Sequence, residues 1–152
     1  MEILLNISAM IAAFFFFFFV EWGAHRYVMH GFLWFLHEDH HNRRNTPFQK
    51  NDSFALIFAI PSMLLIIFGI AEGISVMVSF GIGIAVYGLA YFLIHDVLIH
   101  RRFRNLRKLL FSNADNNYFR AIQKAHRAHH KHLTKEDGES FGMLIVAKKY
   151  FD

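Results

Sequence analysis

The 152-residue chain carries 16 Lys and Arg against 12 Asp and Glu, a formal net charge of +4, and 55% of its residues are hydrophobic. That length is the length of one domain, yet the apolar fraction exceeds that of ordinary globular domains and comes in blocks, which is a membrane pattern. With no cysteine, the chain itself cannot hold disulfides, thiolate zinc sites or iron–sulfur centres, so any redox partner is external.

Ile3–Val20 is the first charge-free block, 18 residues long and enough to cross a hydrocarbon core of roughly 30 Å. Its leading segment has Glu2 and no Lys or Arg, and no small-residue cleavage site follows Phe14–Phe19. It therefore reads as an uncleaved anchor, with the six-Phe run as lipid-facing bulk. The helix is expected to continue past Glu21 and Trp22 into the interface, where Trp22, Tyr27 and Trp34 suit the headgroup region and Gly31 loosens it. Asn42–Asp52, with Asn45-Thr46-Pro47 and Asn51-Asp52, reads as a loop.

Phe54–Ala71 (18 residues, with Pro61 predicting a kink) and Ile74–Ile94 (21 residues) are the second and third spans, joined as a tight hairpin at Glu72-Gly73. Gly69 and Gly73 have the small-xxx-small spacing that lets helices approach. Gly81-Ile82-Gly83 superficially suggests a nucleotide loop, but lies inside a span rather than between a strand and a helix. From His100 to Lys131 basic residues alternate with apolar ones, as in segments that lie on a membrane surface. Asn113–Asn117 is expected to split this region into two helices.

All 16 basic residues fall within 26–50 or 101–149, and none lies in Met1–Gly23 or at Glu72-Gly73. Positive charge marks the cytoplasmic side, so the N-terminus is expected outside and the C-terminal third inside. A pI near 9.5 is then explained by topology and anionic headgroups, with no nucleic-acid partner implied.

Ten of the eleven histidines form four clusters: His25 and His30; His37, His40 and His41; His95 and His100; His126, His129 and His130. The spacings are H-x4-H, H-x2-H-H, H-x4-H and H-x2-H-H. Positions i, i+3 and i+4 share a helical face, which predicts two convergent tripods, His37/His40/His41 and His126/His129/His130. Positions i and i+5 are about 140° apart and about 7.5 Å along the axis, so each outer pair either reaches two ions or spans a local unwinding. The second and third spans form one hairpin between the clusters, which puts all four on one membrane side. His132 lies outside the pattern and reads as a surface residue. Glu21, Asp39 and Asp96 are candidates for orienting imidazoles.

Ten imidazoles suit two metal ions with about five ligands each. Ligand type alone admits zinc, copper, nickel or iron. Attack on an unactivated C–H bond needs redox chemistry from the cofactor, which zinc cannot supply, so iron is the choice for an oxygenase.

The segments His25-Arg26-Tyr27-Val28-Met29-His30-Gly31, His37-Glu38-Asp39-His40-His41, His95-Asp96 through His100-Arg101, and Ala125-His126-Arg127-Ala128-His129-His130 resemble bacterial β-carotene 3-hydroxylases, as does Ser140-Phe141-Gly142. These enzymes belong to the fatty-acid hydroxylase and sterol desaturase superfamily, and the resemblance covers roughly residues 21–142. It implies a non-haem di-iron monooxygenase of the inner membrane, with the ten clustered histidines as metal ligands and no further catalytic residues. Dioxygen and two electrons from a ferredoxin-type donor would hydroxylate C3 of β-ionone rings, giving cryptoxanthin and zeaxanthin. A carotenoid is confined to the bilayer, so the expected entrance is lateral and apolar, with Arg101–Lys131 covering the water side.

The expected architecture is all-α: one membrane-embedded domain over 1–152, with three transmembrane helices and a cytoplasmic helical cap holding a histidine-rich dimetal site. The alternatives are a hydroxylase or desaturase of a sterol or fatty acyl chain and, from another class, a histidine-rich metal transporter. A transporter would place polar ligands on broken helices near the bilayer midplane, where these spans have almost none.

Overall fold

The computed structural model describes residues 1–42 and 48–151. Within them every regular element is helical. The chain runs through α1 (Glu2–Gly23), a π-helical segment (Ala24–Phe32), α2 (Trp34–His41), a 3-10 turn (Lys50–Asp52), α3 (Ser53–Ala71) and α4 (Ser75–Phe92). A second π-helical segment (Leu93–Ile99), α5 (Arg104–Phe111), α6 (Asn117–His129) and a last 3-10 turn (Lys148–Tyr150) follow. Of the expected loop at 42–52, residues 43–47 lie outside the described residues.

Among the described residues, three continuous helices are long and apolar enough to cross a membrane: Glu2–Phe32, Lys50–Ala71 and Ser75–Ile99, with mean hydropathies of 2.5, 2.6 and 2.0 over an 18-residue stretch of each. Their outward side chains are strongly apolar, Ile3, Phe16, Phe19, Leu56 and Ile70 among them. Water would not tolerate such a surface, whereas lipid favours it. This is a membrane protein.

Contacts divide the chain into two compact units, residues 1–20 with 52–90, and residues 21–51 with 91–151. In the first, α3 continues through Pro61, and the α3–α4 turn closes with Ile74 N–H donating to the Gly69 carbonyl at 2.8 Å. Gly73 there adopts φ +67°, which a side chain would oppose, so its role is the turn, while Gly69 makes the close approach. A Cβ on Gly69 would sit 2.8 Å from Val78 Cγ2. The Gly81/Gly83 pair is a packing device: Ser62 Oγ donates to the Gly81 carbonyl at 2.7 Å, and a Cβ on Gly83 would collide with the Met10 carbonyl and lie 2.7 Å from Ala13 Cβ. The Phe run is split by helical periodicity. Phe14 and Phe17 pack on Tyr87 at 5.5 and 6.4 Å, whereas Phe15, Phe16 and Phe19 face outward.

Gly83→Leu is therefore expected to destabilise the chain by about 1–3 kcal/mol, the usual cost of overpacking. The check is the melting midpoint of detergent-purified protein, with Gly88→Ala as a control, since a Cβ there meets nothing within 4 Å.

The second unit is built on α6, whose Ala121 and Ala125 are buried with Tyr150. Val97, Leu98, Ile122 and Met143 are also buried. As expected, the Asn-rich connection separates α5 from α6, with Asn116 Oδ1 accepting from Phe119 N–H at 2.9 Å as the helix cap. Gly31 leaves helical geometry (φ −111°, ψ −122°), which loosens the chain between the first π-helix and α2. Trp22 and Tyr27 meet edge to face at 6.0 Å, with the Arg26 guanidinium over both rings.

Candidate metal centre

Both outer histidine pairs sit on π-helices. There the backbone bonds i→i+5, as in His100 N–H donating to the His95 carbonyl at 2.9 Å, so residues five apart return to one face. Of the two readings the spacing left open, local unwinding is the one observed, and each pair turns its two rings to the same place. The ring centroids of His25 and His30 are 5.4 Å apart, and those of His95 and His100 are 4.5 Å apart.

Two groups of imidazoles result. His25, His30, His37, His41 and His129 form one, and His40, His95, His100 and His126 the other; within each, the candidate ligand atoms all lie within 4.8 Å of one another. The expected tripods are thereby corrected. Within α2, His37 and His41 are about 40° apart around the axis while His40 is about 100° from His41, so the first two turn to one group and His40 to the other. His126 and His129 are divided in the same way. The ring of His130 lies 4.5 Å from both His41 and His126 and 4.7 Å from His40, and its buried Nε2 has no hydrogen-bond partner among the described residues.

The outer nitrogens are anchored. His25 Nδ1–H donates to the Phe141 carbonyl at 2.7 Å, His41 Nδ1–H to the His132 carbonyl at 2.8 Å and His129 Nδ1–H to the Glu139 carbonyl at 2.8 Å. His37 Nδ1–H donates to Asn51 Oδ1 at 2.6 Å, and His40 Nδ1–H to Gln49 Oε1 at 3.0 Å. These acceptors fix one tautomer and leave Nε2 as a lone pair aimed inward.

The Nε2 atoms then face one another across short gaps: His25 to His37 3.2 Å, His37 to His41 3.2 Å, His40 to His95 3.0 Å, His100 to His126 2.8 Å. Where both partners already donate through Nδ1, as in His25/His37 and His37/His41, neither has a proton for the gap, and two lone pairs would repel. Burial, followed by the neighbouring imidazoles, pushes His37, His40, His126, His129 and His130 below the ordinary histidine range, and burial also lowers His41, so protonation does not resolve the conflict between His37 and His41. A cation does. Two ligands about 90° apart at roughly 2.1 Å from one ion stand about 3.0 Å from each other. The donor set, the spacing and the orphaned His130 Nε2 all fit metal ions.

Of the three carboxylates suggested as imidazole partners, Asp96 Oδ2 lies 3.3 Å from His95 Nδ1 and its Oδ1 binds Arg102 at 2.6 Å. Glu21 is buried, with Oε1 3.6 Å from His25 Nδ1. Asp39 differs: it accepts Lys50 N–H at 2.7 Å and so secures the segment bearing Gln49 and Asn51. Those two amides and the three backbone carbonyls were missed from the sequence. Carbonyls have no sequence signature, and Asn51 next to Asp52 reads in the sequence as turn chemistry.

A model of the fatty acid hydroxylase family matches residues 10–150. The chain belongs to the fatty acid hydroxylase family. Similar relatives include the "Beta-carotene hydroxylase" of Pseudescherichia vulneris, 38% identical over 150 residues (96% of this chain, 76% of that one). The "Beta-carotene hydroxylase" of Pantoea ananas is 40% identical over 125 residues (81% and 67%). "Beta-carotene hydroxylase 1, chloroplastic" of Capsicum annuum is 39% identical over 129 residues, 83% of this chain but 39% of that one, so this chain spans well under half of the plant protein. No solved structure matches the chain.

In this family member, burial and the surrounding imidazoles make the stability of the metal-free protein pH-dependent. His41 is pushed down to about 4, chiefly by burial, and the other five lie below the ordinary value. The folded pKa is thus below the unfolded one, and the unfolded chain binds more protons as pH falls through about 6.5. Each such imidazole then removes about 1.4 kcal/mol per pH unit until its folded pKa is reached. The melting midpoint of chelator-treated protein is expected to fall steeply from about pH 7 to about pH 5. A flat profile would show that the imidazoles are charged in the fold.

Proposed function

We propose that this chain hydroxylates C3 of the β-ionone rings of β-carotene, giving cryptoxanthin and then zeaxanthin, as a non-haem di-iron monooxygenase. The observation that carries the reading is the pair of buried imidazole groups with inward Nε2 atoms, in a membrane chain 38–40% identical to bacterial proteins named as beta-carotene hydroxylases. His25, His30, His37, His41 and His129 would hold one iron, His40, His95, His100 and His126 the other, with His130 beside both.

When bound, the two irons supply activation of dioxygen and cleavage of the C–H bond. The chain's contribution is placement. Nδ1–H bonds to Phe141, His132, Glu139, Asn51 and Gln49 keep the ligand nitrogens pointing inward. Phe141 lays its ring against His25, His30 and His129 at 5.1–5.6 Å and shields that side from water.

The substrate reaches the site laterally from the bilayer, and a ferredoxin-type protein supplies the electrons from the aqueous side. The distribution of Lys and Arg supports an inner-membrane protein with the metal end in the cytoplasm and the N-terminus outside.

Expression in cells that accumulate β-carotene is expected to convert most of the pigment to zeaxanthin, with cryptoxanthin in transit. Unchanged β-carotene, with the protein present in the membrane and loaded with iron, would overturn the substrate assignment and direct attention to sterol or acyl lipids.

A further inference from the structure

Beyond the histidines, the second unit contains a strongly cationic cavity. A pocket of about 290 Å³ is lined by Arg101, Arg107, Arg120, Arg127, Gln123 and Ser112, with Asp115 on its wall. Asp115 is 3.5 Å from Arg120. Among the described residues, Arg101, Arg107 and Arg127 have no carboxylate partner. Arg107 Nε is sealed from solvent, with no hydrogen-bond acceptor among the described residues. Four guanidiniums around one concavity repel one another unless an anion with several oxygens joins them, and phosphate matches the guanidinium fork.

The elements around the pocket indicate where the phosphate comes from. Arg107 and Phe111 lie on α5, whose Leu109 and Leu110 are 77% and 50% exposed. A short basic helix with bare leucines, in a chain with three membrane-crossing helices, suits the headgroup boundary, where the leucines enter the acyl region and the arginines meet phosphate. Liquid water takes roughly 30 Å³ per molecule, so the pocket has the volume of about ten waters, enough for a phosphate with its glycerol.

We propose that Arg101, Arg107, Arg120 and Arg127 bind the phosphate of an anionic membrane lipid. Arg101 follows His100 and Arg127 follows His126, the two histidines whose Nε2 atoms are 2.8 Å apart. Arg101 is held at φ +56° by the turn that ends the π-helix, in which Arg102 N–H donates to the Asp96 carbonyl at 3.0 Å, so the backbone fixes where its side chain starts. None of this depends on which substrate the metals oxidise.

The test uses the full chain in nanodiscs of phosphatidylcholine containing phosphatidylglycerol, with the lipid retained after detergent extraction counted by native mass spectrometry. Wild type is expected to keep one phosphatidylglycerol in preference to phosphatidylcholine. Arg120→Gln/Arg127→Gln, at two exposed positions, is expected to lower that retention about tenfold, as is Arg107→Gln. Arg104→Gln, on the same helix but outside the pocket, should leave it unchanged. Circular dichroism verifies that each variant is folded, and the exposed pair decides the matter if Arg107→Gln is not.

Equal retention by wild type and the folded double variant, or equal retention of both lipids, would overturn the proposal. A separate arm titrates delipidated protein with inorganic phosphate. Saturable binding of inorganic phosphate without lipid retention would overturn the membrane source and assign the pocket to a free phosphate.

Discussion

Replacing His40 or His129 with alanine is expected to reduce hydroxylation to background, a loss of more than about 100-fold, while the protein still inserts in the membrane. Each change removes one inward nitrogen from a buried group, His40 from the second and His129 from the first. The effect should exceed the roughly 10–100-fold typical of residues that merely orient a ligand. Insertion should survive because His40 is on α2 and His129 on α6, outside the three apolar helices. Product analysis in β-carotene-accumulating cells, together with membrane fractionation, measures both outcomes.

His132→Ala is the informative control. It deletes an imidazole but keeps the backbone carbonyl that accepts from His41, so most activity should remain. Inactivity equal to that of His40→Ala would show that His132 is not peripheral.

Asn51→Leu should cost about 10–100-fold in metal affinity, with a matching loss of activity. The buried amide oxygen is 2.6 Å from His37 Nδ1 and leaves His37 Nε2 to approach both His25 and His41 at 3.2 Å. Leucine offers no acceptor, which strands a buried N–H and frees the ring to take the other tautomer. Asn51→Asp retains an oxygen in the same place and is expected to restore most of the metal bound. Metal content and competition with a chelator of known affinity separate this effect from a simple loss of fold. If Leu and Asp at this position bind metal equally, the orienting role is wrong.

Much of the frame was legible in the sequence because it rests on local chemistry. A membrane helix must be long and apolar, and the three charge-free blocks met that requirement, with helices extending beyond each at one end or both. Asn116 and the residues around it had the polar, turn-forming character that separates α5 from α6. The Gly81/Gly83 pair lies inside a helix, as the sequence implies, while its packing partners, Ser62, Ile66, Met10 and Ala13, come from elsewhere in the chain. Asp39 shows the limit: adjacent to a histidine in sequence, it binds the Lys50 N–H instead.

The sequence by itself determined that ten histidines occur in four ordered clusters and that the apolar helices carry few polar groups. Spacing fixes the direction of a side chain about its own helix. It says nothing about which distant ring that side chain will meet. Only the tertiary structure decided that His25 and His30 share a face through a π-turn, and that His37 and His40 belong to different groups. It also decided that carbonyls 91 and 116 residues away hold the Nδ1 protons of His41 and His25. The physical reason is that a metal site is a meeting of lone pairs from several helices, and its membership is set by how those helices pack.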